Sequence, residues 1–341
     1  MEKQLTLIID KLINEIGQVQ VLGDDKKVIT DVTADSRVVE NGSLFICLKG
    51  ATVDGHKFLK MAVEKGAVAA LVEDVPEEIP AGVTLLVVPD TRKAMEAVVP
   101  FFFDYPGKNM RMLGITGTNG KTTTTNIIRT VLRKAGYKVG LIGTINIMIE
   151  DEAVEAHNTT PDVVDLQKAL FAMKNAGCDY VVMEVSSHAL VLNRVAGCEY
   201  DCAVLSNITQ DHLDFHKTLE NYRDAKSLLF EGLANGAKEN KNAVFNMDDA
   251  SSEIIKARTK VNCLTYGKEH TNDIYPISFN VQAKEMQLKL ATPVGEMDLD
   301  LKITGEFNVY NVMSAVACLL AEKIDKEIIC DVLNGFAGVP G

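Results

Sequence analysis

The residues best suited to chemistry in this chain lie in GITGTNGKTTTT, residues 114–125. Gly114, Gly117 and Gly120 recur every third residue, and Lys121 and four threonines follow. Glycines let a backbone approach a ligand closely, and Lys-Thr at a helix start completes the composition of a phosphate loop. Backbone N–H groups from Gly117, Thr118, Asn119 and Gly120 would point at phosphate oxygens, with the helix dipole adding favourable potential. Lys121 would reach the β- and γ-phosphates, Thr122 would put its hydroxyl on Mg2+, and Thr123 would be a further phosphate contact. The strict pattern G-x-x-x-x-G-K-[ST] is not met, because its first glycine would fall at Ile115. Four threonines are a poor helix start by propensity. A ligand accounts for Thr122 and Thr123; Thr124 and Thr125 have no assigned role.

Three further stretches gather polar side chains, the first after a polar segment and the other two at the ends of apolar strands. NTTP, residues 158–161, offers the side chains of Asn158, Thr159 and Thr160 to an anionic or sugar ligand, or simply starts a helix near Asp162. MEVSSHAL, residues 183–190, ends an apolar strand, where Glu184 is costly unless paired or on a metal. A Mg2+ ligand is the expected role, with Ser186, Ser187 and His188 at the same rim. No G-x-S-x-G elbow accompanies them, so a Ser-His-Asp hydrolase is discounted. LSNITQDHLDFH, residues 205–216, gathers Asn207, Asp211, His212, Asp214 and His216. It reads either as a polar loop with Asp211 capping the next helix or, more sharply, with His212 on a second divalent ion. NYRDAKSLLF, residues 221–230, reads as an ordinary helix on which Lys226 is a surface lysine.

The elements around these stretches are α/β. Leu5, Ile8, Ile9, Leu12, Ile13 and Ile16 mark one apolar helix face ending at Gly17. VITDVTADSR, SLFICLKG and VTLLVVPD read as strands, with a turn at Asn41 and Gly42 and helices over residues 56–66 and 91–105. Pro106 and Gly107 read as a linker. From Arg111 on, MRMLGIT, YKVGLIGTI, CDYVVMEVS, YDCAVLSNIT, AVFNMDD and VNCLTYG alternate with helices, which implies a mainly parallel sheet covered on both faces. Residues 274–303 alternate as antiparallel strands, and a helix spans NVYNVMSAVACLLAEK. The expected organisation is a small N-terminal α/β domain over residues 1–107 and a P-loop-type domain over 108–337 with a small antiparallel extension. Residues 338–341 read as the start of a linker to a further domain.

Composition narrows the function. A net charge of −12 over 341 residues argues against nucleic-acid binding. No run approaches the roughly 18 apolar residues of a membrane span. Seven cysteines without a CxxC pair suit core filling in a cytoplasmic protein. The absence of N-K-x-D and the loop spacing argue against a GTPase or motor P-loop NTPase. Charged residues at three successive strand ends argue against a mere nucleotide-sugar-binding module.

The ordered set GTNGKTT, NTTP, MEVSSHAL, NITQDHLDFH, YRDAK and GEFNVYN resembles the Mur ligase family, from about Val28 onward. It is most similar to the branch that adds the third amino acid of the peptidoglycan peptide. TADSRVVENGSLFICLKG resembles that branch's uridine-diphosphate site, with Ser36 and Arg37 central. The resemblance implies an ATP-dependent amide ligase acting on UDP-MurNAc-L-Ala-D-Glu and a diamino acid, meso-diaminopimelate being favoured over L-lysine. Its siblings of the dipeptide-adding or folylpolyglutamate type fit the uridine stretch and NTTP less well. It implies two Mg2+ ions, ligated by Thr122, Glu184, His212 and a carbamylated Lys226. Carbamylation needs a neutral amine, so the surroundings of Lys226 should depress its pKa. It further implies that Asn158, Thr159, Thr160, Ser186 and Arg194 bind the muramoyl dipeptide, and that Asn207, Asn308 and Asn311 lie near the adenine. A monomer without membrane insertion is expected, as is impaired ligation in a chain lacking the amino-acid-binding domain.

Overall fold

The computed structural model describes residues 1–50, 53–155 and 158–338. The linker expected at 338–341 therefore lies, beyond Gly338, outside the described residues. The chain divides into two compact units. The first takes residues 1–106, and also Asp162–Phe171 and Asn193–Gly197; the second takes the rest.

The first unit opens with β1 (Lys3–Gln4) and α1 (Leu5–Ile16), followed by β2 (Gln20–Leu22), β3 (Val28–Ile29), β4 (Asp31–Thr33) and β5 (Ser43–Ile46). A short 3-10 turn leads into α2 (Leu59–Glu64), β6 (Ala69–Val72), β7 (Thr84–Val87) and α3 (Thr91–Phe102). The sheet runs β2-β7-β6-β5-β4, parallel except for β2. Helix α1 buries Leu5, Ile8, Ile9 and Leu12 as its period requires, and Gly17 closes it in the left-handed region at φ 82°. Ile13 departs from the expected stripe and is exposed. A 100° step per residue carries a fifth apolar position past the edge of the packed face.

The second unit begins with β8 (Arg111–Thr116), α4 (Lys121–Lys134) and β9 (Val139–Ile142). A hairpin of β10 (Asn146–Ile149) and β11 (Glu152–Glu155) follows, then α5 (Val163–Asn175), whose first turns belong to the first unit. Next come β12 (Tyr180–Glu184), α6 (Ser187–Val191), β13 (Cys202–Leu205), α7 (Leu213–His216), α8 (Leu219–Gly232), β14 (Asn242–Asn246), α9 (Ser251–Arg258) and β15 (Asn262–Tyr266). The sheet order is β11-β10-β9-β12-β8-β13-β14-β15, parallel from β9 to β15 with the hairpin added antiparallel. β16 (Tyr275–Val281), β17 (Met286–Ala291) and β18 (Met297–Leu301) form a separate antiparallel meander, and α10 (Phe307–Ala321) and α11 (Lys326–Leu333) end the described chain.

Both faces of the large sheet are covered, as the unbroken apolar strands demand. Leu113 and Ile115 of β8 share a core with Ile127 and Val131 of α4 and Val312 and Val316 of α10. Gly114, between them, faces the other way. A Cβ there would meet the Tyr200 ring at 2.9 Å and Leu229 of α8 at 3.3 Å.

The packing of α4 on α10 gives the unassigned threonines a role. Thr124 is fully buried, and its hydroxyl lies 3.0 Å from Ser314 Oγ, which itself donates to Asn311 O at 2.8 Å. Thr125 Oγ1 donates to Thr122 O at 3.0 Å. The first threonine thus joins two helices in the core, where a lone hydroxyl would be penalised. Thr124→Val should cost about 1–3 kcal/mol, and the double variant Thr124→Val/Ser314→Ala should cost less than the two single changes summed. Urea unfolding of the four proteins measures the coupling; strict additivity would remove this role.

Candidate functional site

Strand β8 stops at Thr116 and α4 starts at Lys121, so the glycine loop lies at the carboxyl edge of the central strand. Ligands gather at such edges in open α/β sheets. Gly117 and Gly120 hold φ of 146° and 88°. A Cβ on Gly117 would sit 1.9 Å from Ser206 Oγ, and one on Gly120 would sit 2.2 Å from Asn311 Oδ1. Both positions therefore require glycine by conformation and by space. The loop is fastened from the end of β13: Thr118 N donates to Asn207 O at 2.8 Å, and Asn119 N to Asn207 Oδ1 at 3.0 Å. On the other side, Asn311 touches Gly120 and donates through Nδ2 to Asn308 Oδ1 at 2.9 Å. Of the three asparagines expected near the adenine, Asn207 and Asn311 brace the loop and Asn308 braces Asn311.

Two lysines converge on one carbonyl. Lys121 Nζ donates to Gly117 O and Thr118 O, both at 2.9 Å. Lys226 Nζ donates to the same Gly117 O at 3.0 Å and stands 4.5 Å from the centre of the Tyr222 ring. Lys226 is 1% exposed, which corrects its reading as a surface lysine. The signal was in the helix period: α8 buries Tyr222, Ala225, Lys226, Leu229 and Phe230, and the lysine falls in the middle of that stripe. Burial, with the charge of Lys121 beside it, pushes the Lys226 amine well below the usual lysine value, against a weaker pull from Asp211. Burial also lowers Lys121.

Glu184 ends β12 and is 2% exposed. Its Oε1 accepts from Thr144 N at 3.2 Å and its Oε2 from Thr144 Oγ1 at 3.0 Å. A side chain on Gly143 would meet Oε1 at 2.6 Å. Thr144 Oγ1 also lies 3.0 Å from Thr159 Oγ1. Thr160, buried, donates to Glu184 O at 2.9 Å and accepts from Ser186 N at 3.0 Å, while Ser186 Oγ accepts from Ala189 N to cap α6. Thr144 escaped the sequence reading because nothing local marks a partner forty residues away. Asn158 is exposed beside this cluster's threonines.

His212 opens α7 with a left-handed φ of 50°. Its ring lies 4.9 Å from His188 and 6.2 Å from Tyr222, centre to centre. Asp211 does not cap the following helix: its Oδ1 accepts from His212 N, and α7 has His212 at its N-cap with no side-chain cap. The four expected metal ligands flank the same loop, with Lys121 and Lys226 sharing the Gly117 carbonyl between them. Thr122 and Glu184 line one cavity of about 300 Å3, whereas His212 and Lys226 both lie against Tyr222. Among the described residues no three His, Cys, Asp or Glu side chains form a metal-binding group. A hydroxyl and a carboxylate on one cavity wall nevertheless fit Mg2+, which takes oxygen donors and keeps several waters.

The remaining sequence candidates lie in the first unit. Ser36 is buried just after β4. Arg37 is exposed and forks onto Asp35, Nε to Oδ1 at 2.9 Å and Nη2 to Oδ2 at 2.7 Å, which holds the Asp35 carboxyl below its usual range. Arg194 belongs to the Asn193–Gly197 segment of that unit. No helix among the described residues is long and apolar enough to cross a membrane.

Comparison with known proteins places these features. The pattern of the Mur ligase middle domain matches residues 115–319, and that of the Mur ligase family catalytic domain matches residues 28–102. The UDP-N-acetylmuramoyl-L-alanyl-D-glutamate–2,6-diaminopimelate ligase of Bacillus cereus is 44% identical over 97% of this chain and 67% of its own length. The enzyme of the same name from Geobacillus thermodenitrificans is 45% identical over 92% of this chain and 64% of its own. A solved structure of a ligase of that name superposes with a TM-score of 0.82 at 27% identity, covering all of this chain and 68% of the other. The chain spans about two thirds of the length of the curated relatives it matches.

Proposed function

The chain belongs to the Mur ligase family, and from that premise we propose that it forms the nucleotide- and precursor-binding part of an ATP-dependent ligase. The reaction is the addition of 2,6-diaminopimelate to UDP-MurNAc-L-Ala-D-Glu. The observation that carries this reading is identity of 44 and 45% to ligases named for that reaction, over more than nine tenths of the chain.

The chemistry explains the arrangement. A carboxylate does not condense with an amine in water, because oxide is a poor leaving group. Attack of the carboxylate on the γ-phosphorus of ATP releases ADP and leaves an acyl phosphate. The amine then attacks the acyl carbon, and inorganic phosphate departs. The loop N–H groups and Lys121 hold the phosphates, with Lys121 exchanging the Gly117 and Thr118 carbonyls for phosphate oxygens. Gly117, Thr118, Asn119, Gly120, Thr122 and Thr123 line this nucleotide, and Asn207, Asn308 and Asn311 lie toward its base. Thr122 and Glu184 would hold one Mg2+; His212 and a carbamate on Lys226 would hold a second. When bound, Mg2+ supplies neutralisation of the charge that develops on the transferring phosphoryl group. A carbamate forms when the neutral amine of Lys226 adds to CO2 and releases a proton, and the depressed pKa of that amine supports it. Asn158, Thr159, Thr160, Ser186 and Arg194 are the residues proposed for the muramoyl dipeptide, and Ser36 and Arg37 those for the uridine diphosphate. The setting is cytoplasmic and the working unit a monomer.

Positional isotope exchange tests the first half-reaction without any amino acid. With ATP carrying 18O at the β,γ-bridge, the dipeptide precursor should cause scrambling into the β-nonbridging positions. Scrambling that ignores the precursor, or none with the precursor bound, would contradict an acyl phosphate.

A further inference from the structure

The cavity that Thr122 and Glu184 share is longer than a metal site needs. Its wall on α4 is formed by Thr122, Asn126 and Arg129. These are positions i, i+4 and i+7, so the wall runs about 10 Å along the helix at 1.5 Å per residue. Leu141, Ile145 and Met148, from β9 and the start of the hairpin, supply an apolar side, and Asn146 an amide. The volume of about 300 Å3 holds a small ligand with water.

At the far end of this wall stands an incompletely satisfied cation. Arg129 is 9% exposed. Its Nη2 donates to the Glu150 carbonyl, but its Nε–H is buried without a hydrogen-bond partner. A buried guanidinium normally fills its donors, because each one left unmade costs desolvation without return. The carboxylates of Glu150 and Asp151 act on it through space, opposed by Arg133. Arg129 thus lines a chamber that also reaches Thr122 beside the nucleotide loop, and its guanidinium keeps one buried donor unused.

We propose that this chamber binds a small tetrahedral oxyanion, inorganic phosphate, with Arg129 as its anchor. Naming phosphate as the reaction's product rests on the ligase reading above; the anion site itself does not. Phosphate set free between Thr122 and Glu184 would move along α4 to Arg129, clearing the loop before nucleotide leaves.

The test is phosphate binding by calorimetry and 31P line broadening, with the loop first saturated by Mg2+ and the β,γ-imido analogue of ATP. One further phosphate per chain is expected. Arg129→Met should weaken it at least tenfold while leaving the analogue's affinity unchanged, and Arg129→Lys should restore part of it. Met148→Phe narrows the chamber while keeping the arginine and should also weaken it. Phosphate binding that is absent in the wild type, or unaffected by both Arg129→Met and Met148→Phe, overturns the proposal. If the analogue does not bind at all, the ligase reading fails instead. The Lys121→Ala chain, titrated with phosphate alone, then still decides whether an Arg129-dependent anion site exists.

Discussion

Lys121→Ala is expected to weaken Mg2+-dependent ATP binding and turnover by about 10²–10³-fold, the usual cost of removing one preorganised charge from a phosphoryl-transfer site. In the protein without ligand, Lys121 spends its donors on two loop carbonyls, at 2.9 Å each. Those bonds hold the ammonium over the loop, and burial lowers its pKa, which leaves it ready for a partner of opposite charge. Alanine leaves the loop folded, since Asn207, Ser206 and Asn311 brace it independently. It also removes the cation that disfavours charge on Lys226. Calorimetry with ADP and ATP at fixed Mg2+, beside a urea unfolding curve, separates lost binding from lost fold. A variant that binds ATP as tightly as the parent would refute the phosphate role of Lys121.

Lys226→Met is expected to abolish the precursor-dependent isotope exchange and yet to make the protein more stable, by about 1–4 kcal/mol, the range seen when buried ionic groups give way to apolar ones of similar volume. The site pays for chemistry with burial. A lysine that is 1% exposed must either hold a charge away from water or stand neutral. Its contacts are one carbonyl, which Lys121 also serves, and the face of Tyr222. Methionine keeps the ring contact and the volume of the stem. An upward shift of the urea midpoint with nucleotide binding retained is the expected result. A clear loss of stability would mean that Lys226 holds the fold rather than the reaction.

What could be read from the sequence depended on whether the signal was local. Glycines at 117 and 120 declare the loop because their positive φ and the nearby Ser206 and Asn311 leave no room for a Cβ. Runs such as MRMLGIT and CAVL declare buried strands because both their faces pack. The hairpin of β10 and β11 went unread: NIMI and EAVE are four residues each, too short for a sustained alternation. Helix α9 is eight residues with only Ser252 and Ile255 buried, too faint a stripe to register. Pairings across long stretches of chain left no trace either. Thr144 on Glu184, Thr124 on Ser314 and Arg129 beside the hairpin become visible only once the sheet brings them together. Lys226 lies between these cases, because its place in the apolar stripe of α8 was legible and its meaning was not.

The central claim is the identity of the precursor, and the most direct measurement is calorimetric binding of UDP-MurNAc-L-Ala-D-Glu beside UDP-MurNAc-L-Ala. The residues proposed for this ligand, Ser36, Arg37, Asn158, Thr159, Thr160, Ser186 and Arg194, all lie within the chain. The account predicts clear preference for the dipeptide form, weakened by changes at Thr159 or Ser186. Equal binding of both, preference for the shorter form, or no binding by a folded sample would contradict it.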